Sequence, residues 1–163
     1  MNTPPDPTPI SRSRLLRYWE DFEAGQVSEF GGKVMDRDEI IEFARQFDPQ
    51  PFHLSEEGGK ASLFGGLCAS GWHTAVTAMR MMCDAYLLDA ASLGSPGLES
   101  LKWSKPVYPG DVLRVRMTVL ESRVMNSKPH VGLLRCRHEV LNQRDEVVMT
   151  MESWAMMARR PAA

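Results

Sequence analysis

The 163-residue chain is long enough for one domain with a sizeable core and too short for two ordinary domains. Its residues are 43% hydrophobic and 25% charged, which is typical of a soluble globular protein. The net charge of −2, without a basic run, excludes the electrostatic surface that nucleic-acid partners require.

The N-terminal segment and the cysteines indicate the compartment. Residues 1–13 contain four prolines and no apolar run, so they predict a disordered tail and neither a signal peptide nor a membrane span. Cys68, Cys83 and Cys136 have no disulfide-type or zinc-type spacing, which favours reduced thiols and a cytoplasmic location. The remaining residues predict one domain over 14–160 and a short C-terminal tail over 161–163.

The first half of the domain predicts one strand and one short helix. The strand is expected over residues 26–35. Asp36 precedes Glu39 at the spacing of a capping box, which predicts that a helix begins there. An apolar stripe at i, i+3, i+4 and i+7 follows at Ile40, Phe43, Ala44 and Phe47. Pro49 ends this helix, because the residue before a proline is disfavoured in the α region.

A second and longer helix is predicted after an irregular loop that holds glycines 58, 59, 65 and 66. Ser70 and Gly71 open this helix. Its apolar stripe is formed by Trp72, Ala75, Val76, Met79, Met82, Cys83 and Tyr86. Its polar side chains share one narrow line at His73, Thr77, Arg80 and Asp84. A helix that is apolar nearly all round is typically buried, and we expect a sheet to cover it.

The second half supplies that sheet. Apolar and polar residues alternate in four segments, at 101–107, 113–120, 134–140 and 146–158. Turn residues separate the segments at 109–111, 125–130 and 142–145. This pattern predicts antiparallel strands with one dry face and one wet face. The predicted fold class is therefore α+β, a single hot-dog domain in which an antiparallel sheet wraps around one long central helix.

Asp48 and His53 are the first candidates for chemistry. They lie five residues apart on a segment that Pro49 and Pro51 are expected to hold extended, and such rigidity lets two side chains converge on one water molecule. Burial in an apolar pocket is expected to raise the pKa of Asp48, and histidine titrates near neutrality. The residues alone leave the alternative that Asp48 only ends the helix and His53 is an ordinary loop histidine.

Ser70 and Gly71 are the second candidate element. The start of a helix presents free backbone N–H groups and the positive end of its dipole. A glycine there lets a substrate carbonyl approach closely, so the pair predicts an oxyanion hole for a thioester enolate. The alternative is that Ser70 is only a helix cap and Gly71 only a packing residue.

Two other kinds of site are weaker. His53, His73 and Asp48 would make a metal site, but no ligand pair has i, i+3 or i, i+4 spacing. Cys68 with His73 would make a thiol nucleophile, yet nothing visible lowers the pKa of the thiol or orients the base. His138 lies on the dry face of a predicted strand and is interpreted as a core histidine.

Five segments resemble the MaoC-like dehydratase family, whose members are related to the (R)-specific enoyl-CoA hydratases. They are residues 48–53 (DPQPFH), 64–74 (FGGLCASGWHT), 107–113 (VYPGDVL), 142–143 (NQ) and 158–160 (ARR). The resemblance extends from about Tyr18 to Arg160. It implies a hot-dog hydratase or dehydratase that acts on a coenzyme A thioester.

The resemblance also implies roles for single residues. Asp48 and His53 match the dyad that holds the water added across the C2–C3 double bond, and Gly71 matches the glycine whose N–H binds the thioester oxygen. Such enzymes use no metal and no cofactor other than the coenzyme A of the substrate. They are typically homodimers with the active site near the subunit contact.

Three further residues are predicted to bind the substrate. Gln50 replaces the asparagine that is common between the two prolines of the family motif, and its amide can still form hydrogen bonds. Ser70 replaces a histidine that often precedes the oxyanion glycine. Trp72, with the loop at residues 64–69, is expected to shape the acyl pocket.

Two other functions remain open at this point. A hot-dog thioesterase would share the fold and the oxyanion hole, but such enzymes usually place an acid on or beside the central helix. Here the only acid on that helix is Asp84, more than three turns from its start. A non-catalytic acyl-CoA-binding hot dog is the other alternative, because fold alone does not exclude it.

We also predict a homodimer. A hot-dog sheet has an open edge, which favours pairing with an identical edge. The closing segment, residues 147–157, is apolar on both faces, and the interpretation is that a subunit contact covers its second face.

Overall fold

Five antiparallel strands form one sheet in the computed structural model, which describes residues 16–162. The strands are β1 (Val27–Val34), β2 (Ser92–Trp103), β3 (Val112–Met125), β4 (Lys128–Leu141) and β5 (Val147–Ala158). Their order across the sheet is β1-β3-β4-β5-β2. The predicted tail at 1–13 and the predicted domain start at residue 14 lie outside the described residues.

Four α-helices accompany the sheet. They are α1 (Arg37–Phe47), α2 (Pro51–Leu54), α3 (Glu56–Lys60) and α4 (Gly71–Ala85). The longest, α4, packs against the sheet, where Ala78 and Met81 join the same buried cluster as Leu113 and Val115 of β3. The predicted hot-dog arrangement is therefore confirmed. No helix within residues 16–162 is long and apolar enough to cross a membrane.

The face that α4 buries differs from the predicted one. Its buried residues are His73, Thr74, Thr77, Ala78, Met81 and Met82. Trp72, Val76 and Met79, which were expected to face the sheet, are 55%, 50% and 46% exposed. We call these three side chains the exposed α4 stripe. The physical reason is that α4 is apolar nearly all round, so one sheet covers only part of its apolar surface.

The segment around the candidate dyad also differs. Asp36 caps α1 as predicted, because its Oδ1 accepts hydrogen bonds from the N–H groups of Asp38 (2.8 Å) and Glu39 (3.1 Å). The extended conformation predicted as far as His53 is wrong beyond Gln50. Pro51 starts α2 there, since proline is favoured in the first turn of a helix, where no N–H bond is needed.

The predicted irregular loop also contains a helix, α3. It begins after Ser55, whose hydroxyl accepts a hydrogen bond from the Gly58 N–H at 3.0 Å.

The closing segment at residues 147–157, on which the predicted dimer contact rested, forms β5. β5 lies inside the sheet, paired with β4 on one side and with β2 on the other, so its backbone offers no open edge to a partner subunit. The two edge strands are β1 and β2, and β2 begins nine residues earlier than the predicted segment at 101–107. The first part of β2 was not predicted because it contains Gly94, Pro96 and Gly97. Such residues are unusual in strand interiors and are tolerated at irregular edges.

Asn142 fixes the turn between β4 and β5. Its buried Oδ1 accepts hydrogen bonds from the N–H groups of Arg144 (2.9 Å) and Glu146 (3.1 Å), and its Nδ2 donates to Glu146 Oε2 at 2.8 Å. These bonds hold a turn in which Asp145 has a positive φ of 61°.

We expect Asn142→Ala to lower the free energy of unfolding by about 1–3 kcal/mol, because it removes the buried side chain that accepts hydrogen bonds from the N–H groups of Arg144 and Glu146. Urea unfolding followed by circular dichroism measures this loss. Asn126→Ala, in the exposed turn between β3 and β4, is the matched control and should change stability by no more than about 0.5 kcal/mol. Equal losses in the two variants would contradict the role of Asn142.

Candidate active site

A cavity of about 430 Å³ opens at the first turn of α4. Its walls come from the end of α1, from α2, from the start of α4 and from the chain that follows β2. The residues that matter for chemistry are Asp48, Gln50, His53, Gly71, Trp72 and Trp103, all of which line it. The structure therefore brings together the two candidate elements that the sequence separates by about twenty residues.

Asp48 is held in place by two hydrogen bonds to its carboxylate. It follows the last residue of α1, and its backbone N–H bonds to the Ala44 carbonyl at 2.9 Å. The hydroxyl of Ser70 donates to Oδ2 at 2.7 Å, and the side-chain amide of Gln50 donates to Oδ1 at 2.7 Å. The carboxylate is thus fixed from both sides at the edge of the cavity.

His53 is buried on α2, and a backbone carbonyl sets its tautomer. Its Nδ1 lies 2.7 Å from the carbonyl oxygen of Cys68, which can only accept a hydrogen bond. Nδ1 therefore carries a proton, and in the neutral ring Nε2 is left as an acceptor. Nε2 lies 3.4 Å from Asp48 Oδ2. Two acceptors, one on each residue, thus face each other at the cavity.

The pKa of Asp48 contradicts the expectation from burial alone. Burial raises the pKa, but the hydrogen bonds from Ser70 and Gln50 and the neighbouring His53 together outweigh it, so the pKa of Asp48 lies below its ordinary value. The predicted increase is wrong because Ser70, 22 residues away, stabilises the ionised form. Asp48 is therefore a carboxylate at neutral pH.

We expect Gln50→Ala to raise the pKa of Asp48, because it removes one of the hydrogen bonds that favour the ionised form. On acidification the variant should then lose the ionised carboxylate at a higher pH than the native protein. Titration of the Asp48 carboxyl carbon by NMR measures this shift. Gln46→Ala, on the exposed surface of α1, is the control and should leave the Asp48 titration unchanged.

Gly71 is the first residue of α4, and its backbone N–H has no protein partner among the described residues. Its carbonyl oxygen accepts a hydrogen bond from Trp103 Nε1 at 2.9 Å. A Cβ atom at this position would lie 2.6 Å from Trp103 Cε2, so only glycine fits beneath the indole. Position 71 therefore combines a free donor with a close approach of Trp103.

Trp103 is the site residue that the sequence did not reveal. Its place in an alternating strand indicated a core residue, yet it is 45% exposed and lines the cavity. Its ring meets that of Trp72 edge to face, with centroids 5.2 Å apart. The sequence contains one weak signal that Trp103 belongs to the site: it is a large aromatic residue directly followed by a polar connecting segment.

The family pattern described as "MaoC like domain" matches residues 21–140. The chain belongs to the MaoC-like family. It is 40% identical to a MaoC-like dehydratase of known structure from Rhodospirillum rubrum; the match covers 89% of this chain and 99% of that one, with a TM-score of 0.83.

Two curated relatives extend the comparison. The uncharacterized protein YdeM of Bacillus subtilis (strain 168) is 26% identical over 140 residues, which cover 86% of this chain and 98% of that protein. An (R)-specific enoyl-CoA hydratase of Rhodospirillum rubrum is 25% identical over 114 residues, which cover 64% of this chain and 71% of the enzyme. The MaoC-like chain thus has a hydratase among its relatives.

Ser70 has a different place from Gln50 and Trp72 in this MaoC-like site. It is fully buried and is not among the residues that line the cavity. Its hydroxyl donates to Asp48 and accepts the Trp72 N–H at 3.2 Å, so it joins the cap of α4 to the carboxylate. These contacts favour a positioning role over the substrate contact that was predicted.

The Cys68 thiol lies beside the histidine but is not activated. Its Sγ is 3.7 Å from His53 Nδ1, the nitrogen that already bonds to the Cys68 carbonyl. Burial raises the pKa of the thiol to about 11, so it stays protonated at neutral pH. A protonated thiol is a poor nucleophile, so Asp48 and His53 remain the candidates for acid–base chemistry in this cavity.

Proposed function

We propose that this protein is a hydratase or dehydratase that adds or removes water across the C2–C3 bond of an acyl-CoA thioester, an enoyl-CoA or (R)-3-hydroxyacyl-CoA. One observation carries the proposal. The carboxylate of Asp48 lies 3.4 Å from Nε2 of His53, in a cavity that the N-terminus of α4 also lines. The (R)-specific enoyl-CoA hydratase among the relatives supports the same chemistry.

The two acceptors suit the geometry of a water molecule. Water has two O–H donors, and one can point to Asp48 Oδ2 while the other points to His53 Nε2. A lone pair of the water oxygen is then directed away from both groups, toward C3 of a bound enoyl chain. One dyad member takes a proton from the water as its oxygen bonds to C3.

Gly71 supplies the electrostatic part of the mechanism. When oxygen adds to C3, negative charge moves to the thioester oxygen and gives an enolate. The free N–H of Gly71, at the positive end of the α4 dipole, donates to that oxygen and stabilises the charge. The proton held by the dyad then goes to C2, so one H and one OH have been added in total. Dehydration reverses the same steps.

An assay with crotonyl-CoA tests the proposal. We expect absorbance of the conjugated double bond to fall without release of free coenzyme A thiol, followed in parallel with a thiol reagent. Thiol release would indicate a thioesterase. If neither signal changes while crotonyl-CoA binds, the protein is a non-catalytic acyl-CoA-binding hot dog. Either result would overturn the hydratase proposal.

The surroundings of Asp84 favour the hydratase over the thioesterase. Asp84 is the one acid on α4, near its C-terminal end, and Arg80 binds it with two hydrogen bonds of 3.0 and 2.7 Å. Among the described residues, the carboxylate that lines the cavity is Asp48, whose partners orient it toward His53. This is the arrangement expected for adding water to a double bond.

We further propose that the protein is a homodimer in which the exposed α4 stripe lies at the subunit contact. The stripe leaves three apolar side chains half exposed on one helix, and β2 beside it is an open edge strand. Leu98 and Trp103 of β2 are also 52% and 45% exposed. Exposed apolar side chains next to an open edge are expected to favour pairing with a copy of the chain. Because Trp72 and Trp103 line the cavity, the partner would also close the active site.

We expect Val76→Glu to weaken the dimer strongly, because a charge would then be buried at the contact. Sedimentation equilibrium measures the change, and hydration of crotonyl-CoA should fall with the dimer population. Val27→Glu is the matched control. Val27 is 58% exposed on β1, at the opposite edge of the sheet, so the same substitution should leave association unchanged. A native protein that is a stable monomer of about 18.3 kDa and hydrates crotonyl-CoA would contradict the proposal.

A further inference from the structure

A second cavity of about 320 Å³ lies at the opposite end of α4 from the active site. It is enclosed by the C-terminal half of α4, by β2 and by the inner faces of β3, β4 and β5. None of the residues that line it lines the active-site cavity. Its volume is within the range of small-molecule sites, at the small end.

His138 is the polar residue that makes this cavity unusual. It lies on β4, is 1% exposed, and lines the cavity. Its Nε2 is 3.3 Å from the hydroxyl of Tyr86, whereas its Nδ1 has no hydrogen-bond partner among the described residues. Buried ring nitrogens normally form hydrogen bonds, so the unpaired Nδ1 marks a position where a ligand would supply the partner.

The lining of this second cavity, His138 included, carries no charge. Burial lowers the pKa of His138 to about 4 and raises that of Cys136 to about 11, so both are neutral at pH 7. Within residues 16–162, no Asp, Glu, Lys or Arg lines the cavity. The apolar lining is rich in methionine, which adapts its shape to a ligand, and these residues are Met79, Met82, Met117, Met151 and Met157.

We propose that this cavity is a second ligand site, separate from the Asp48–His53 cavity, for an uncharged and mainly apolar small molecule with one hydrogen-bonding group. An alcohol or a ketone on an alkyl chain or ring has this chemistry. Its polar group pairs with Nδ1 of His138, and its hydrocarbon part fills the space among the methionines. A charged ligand is excluded because nothing in the lining would compensate a buried charge. The inference does not depend on the hydratase proposal, since it concerns other residues and a different ligand.

Methyl NMR of the full chain, with ¹³C-labelled methionine methyl groups, tests the site with 1-octanol and octanoate as probes. We expect 1-octanol to shift the methyl signals of Met82, Met117 and Met151 in a saturable way. The signal of Met35 is the internal control, because Met35 is buried in the other core cluster and does not line the cavity. Octanoate, which differs by its charge, should leave all of these signals in place.

Three variants sharpen the test. His138→Leu removes the ring nitrogens and keeps the site apolar, so it should weaken octanol binding by about tenfold. Ala155→Leu narrows the cavity from β5 and should weaken it as well, which keeps the test valid if His138→Leu fails to fold. Asp48→Asn should bind octanol with native affinity, because Asp48 lines only the first cavity.

Three results would overturn the proposal. The first is an absence of saturable shifts with 1-octanol, which would mean that the cavity holds only water. The second is native octanol affinity in both His138→Leu and Ala155→Leu. The third is displacement of octanol by decanoyl-CoA, which would assign the cavity to the acyl tail of the thioester and not to a separate ligand.

Discussion

Asp48→Asn is expected to lower kcat/KM for the hydration of crotonyl-CoA by about 10²–10⁴, the usual cost of losing an acid–base group. The asparagine side chain has the same shape but no charge, so it accepts a proton from water far less well. It also places an amide group where the carboxylate accepted hydrogen bonds from Ser70 and Gln50. We expect His53→Ala to cause a loss of similar size, because it removes the second acceptor of the water.

The matched control is Asp38→Asn, on the exposed first turn of α1, with a side chain that is 89% exposed. It should retain native kcat/KM. Thermal unfolding of each variant shows whether the fold is kept, and the midpoints of active and inactive variants should be similar. Near-native activity in either Asp48→Asn or His53→Ala, with an unchanged thermal midpoint, would end the assignment of the dyad.

Local signals in the sequence were enough for most of the fold. Asp36 and Glu39 mark the start of α1, and alternation in β3 places Leu113, Val115 and Val119 on the buried face. Both signals act over a few residues, so they can be read without knowledge of tertiary contacts. The same holds for Ser70, which caps α4 as the sequence suggested.

The sequence could not show which apolar face of α4 the sheet would cover. Periodicity identifies apolar faces, but Val76 and Ala78 are both apolar, and only tertiary packing leaves Val76 exposed and Ala78 buried. The edge strand β2 was partly missed for a related reason. Its Gly94 and Gly97 are unfavourable in a strand considered by itself, and they are accommodated only where the register against β5 is irregular.

Within the candidate site, the sequence predicted most of the residues but not the direction in which the pKa of Asp48 is shifted. The surroundings of Asp48 suggested a raised pKa, whereas Ser70, Gln50 and His53 together lower it. Trp103 likewise reaches Gly71 across 32 positions of the chain. Such contacts are set by how α4 docks on the sheet, and no local pattern encodes them. The catalytic roles of the site residues remain predictions, which the variants test.

Gly71→Val is expected to abolish measurable hydration of crotonyl-CoA and to weaken the binding of saturated butyryl-CoA. Valine keeps the backbone N–H but blocks access to it, and loss of one oxyanion-hole contact typically costs about 10²–10³ in kcat. A valine side chain would also stand in the path of the thioester carbonyl. Calorimetric titration with butyryl-CoA measures the binding, and the crotonyl-CoA assay measures the turnover.

The contact between Gly71 and Trp103 gives a second explanation that must be separated from the first. A Cβ at position 71 would collide with the indole, so Gly71→Val could act only by displacing Trp103. The double variant Gly71→Val/Trp103→Ala removes this collision, and Trp103→Ala alone is its control. We expect the double variant to stay inactive while Trp103→Ala keeps measurable turnover, because the carbonyl still needs open access to the Gly71 N–H. Recovery of activity in the double variant, or native butyryl-CoA affinity in Gly71→Val, would show that the glycine serves packing and not the oxyanion.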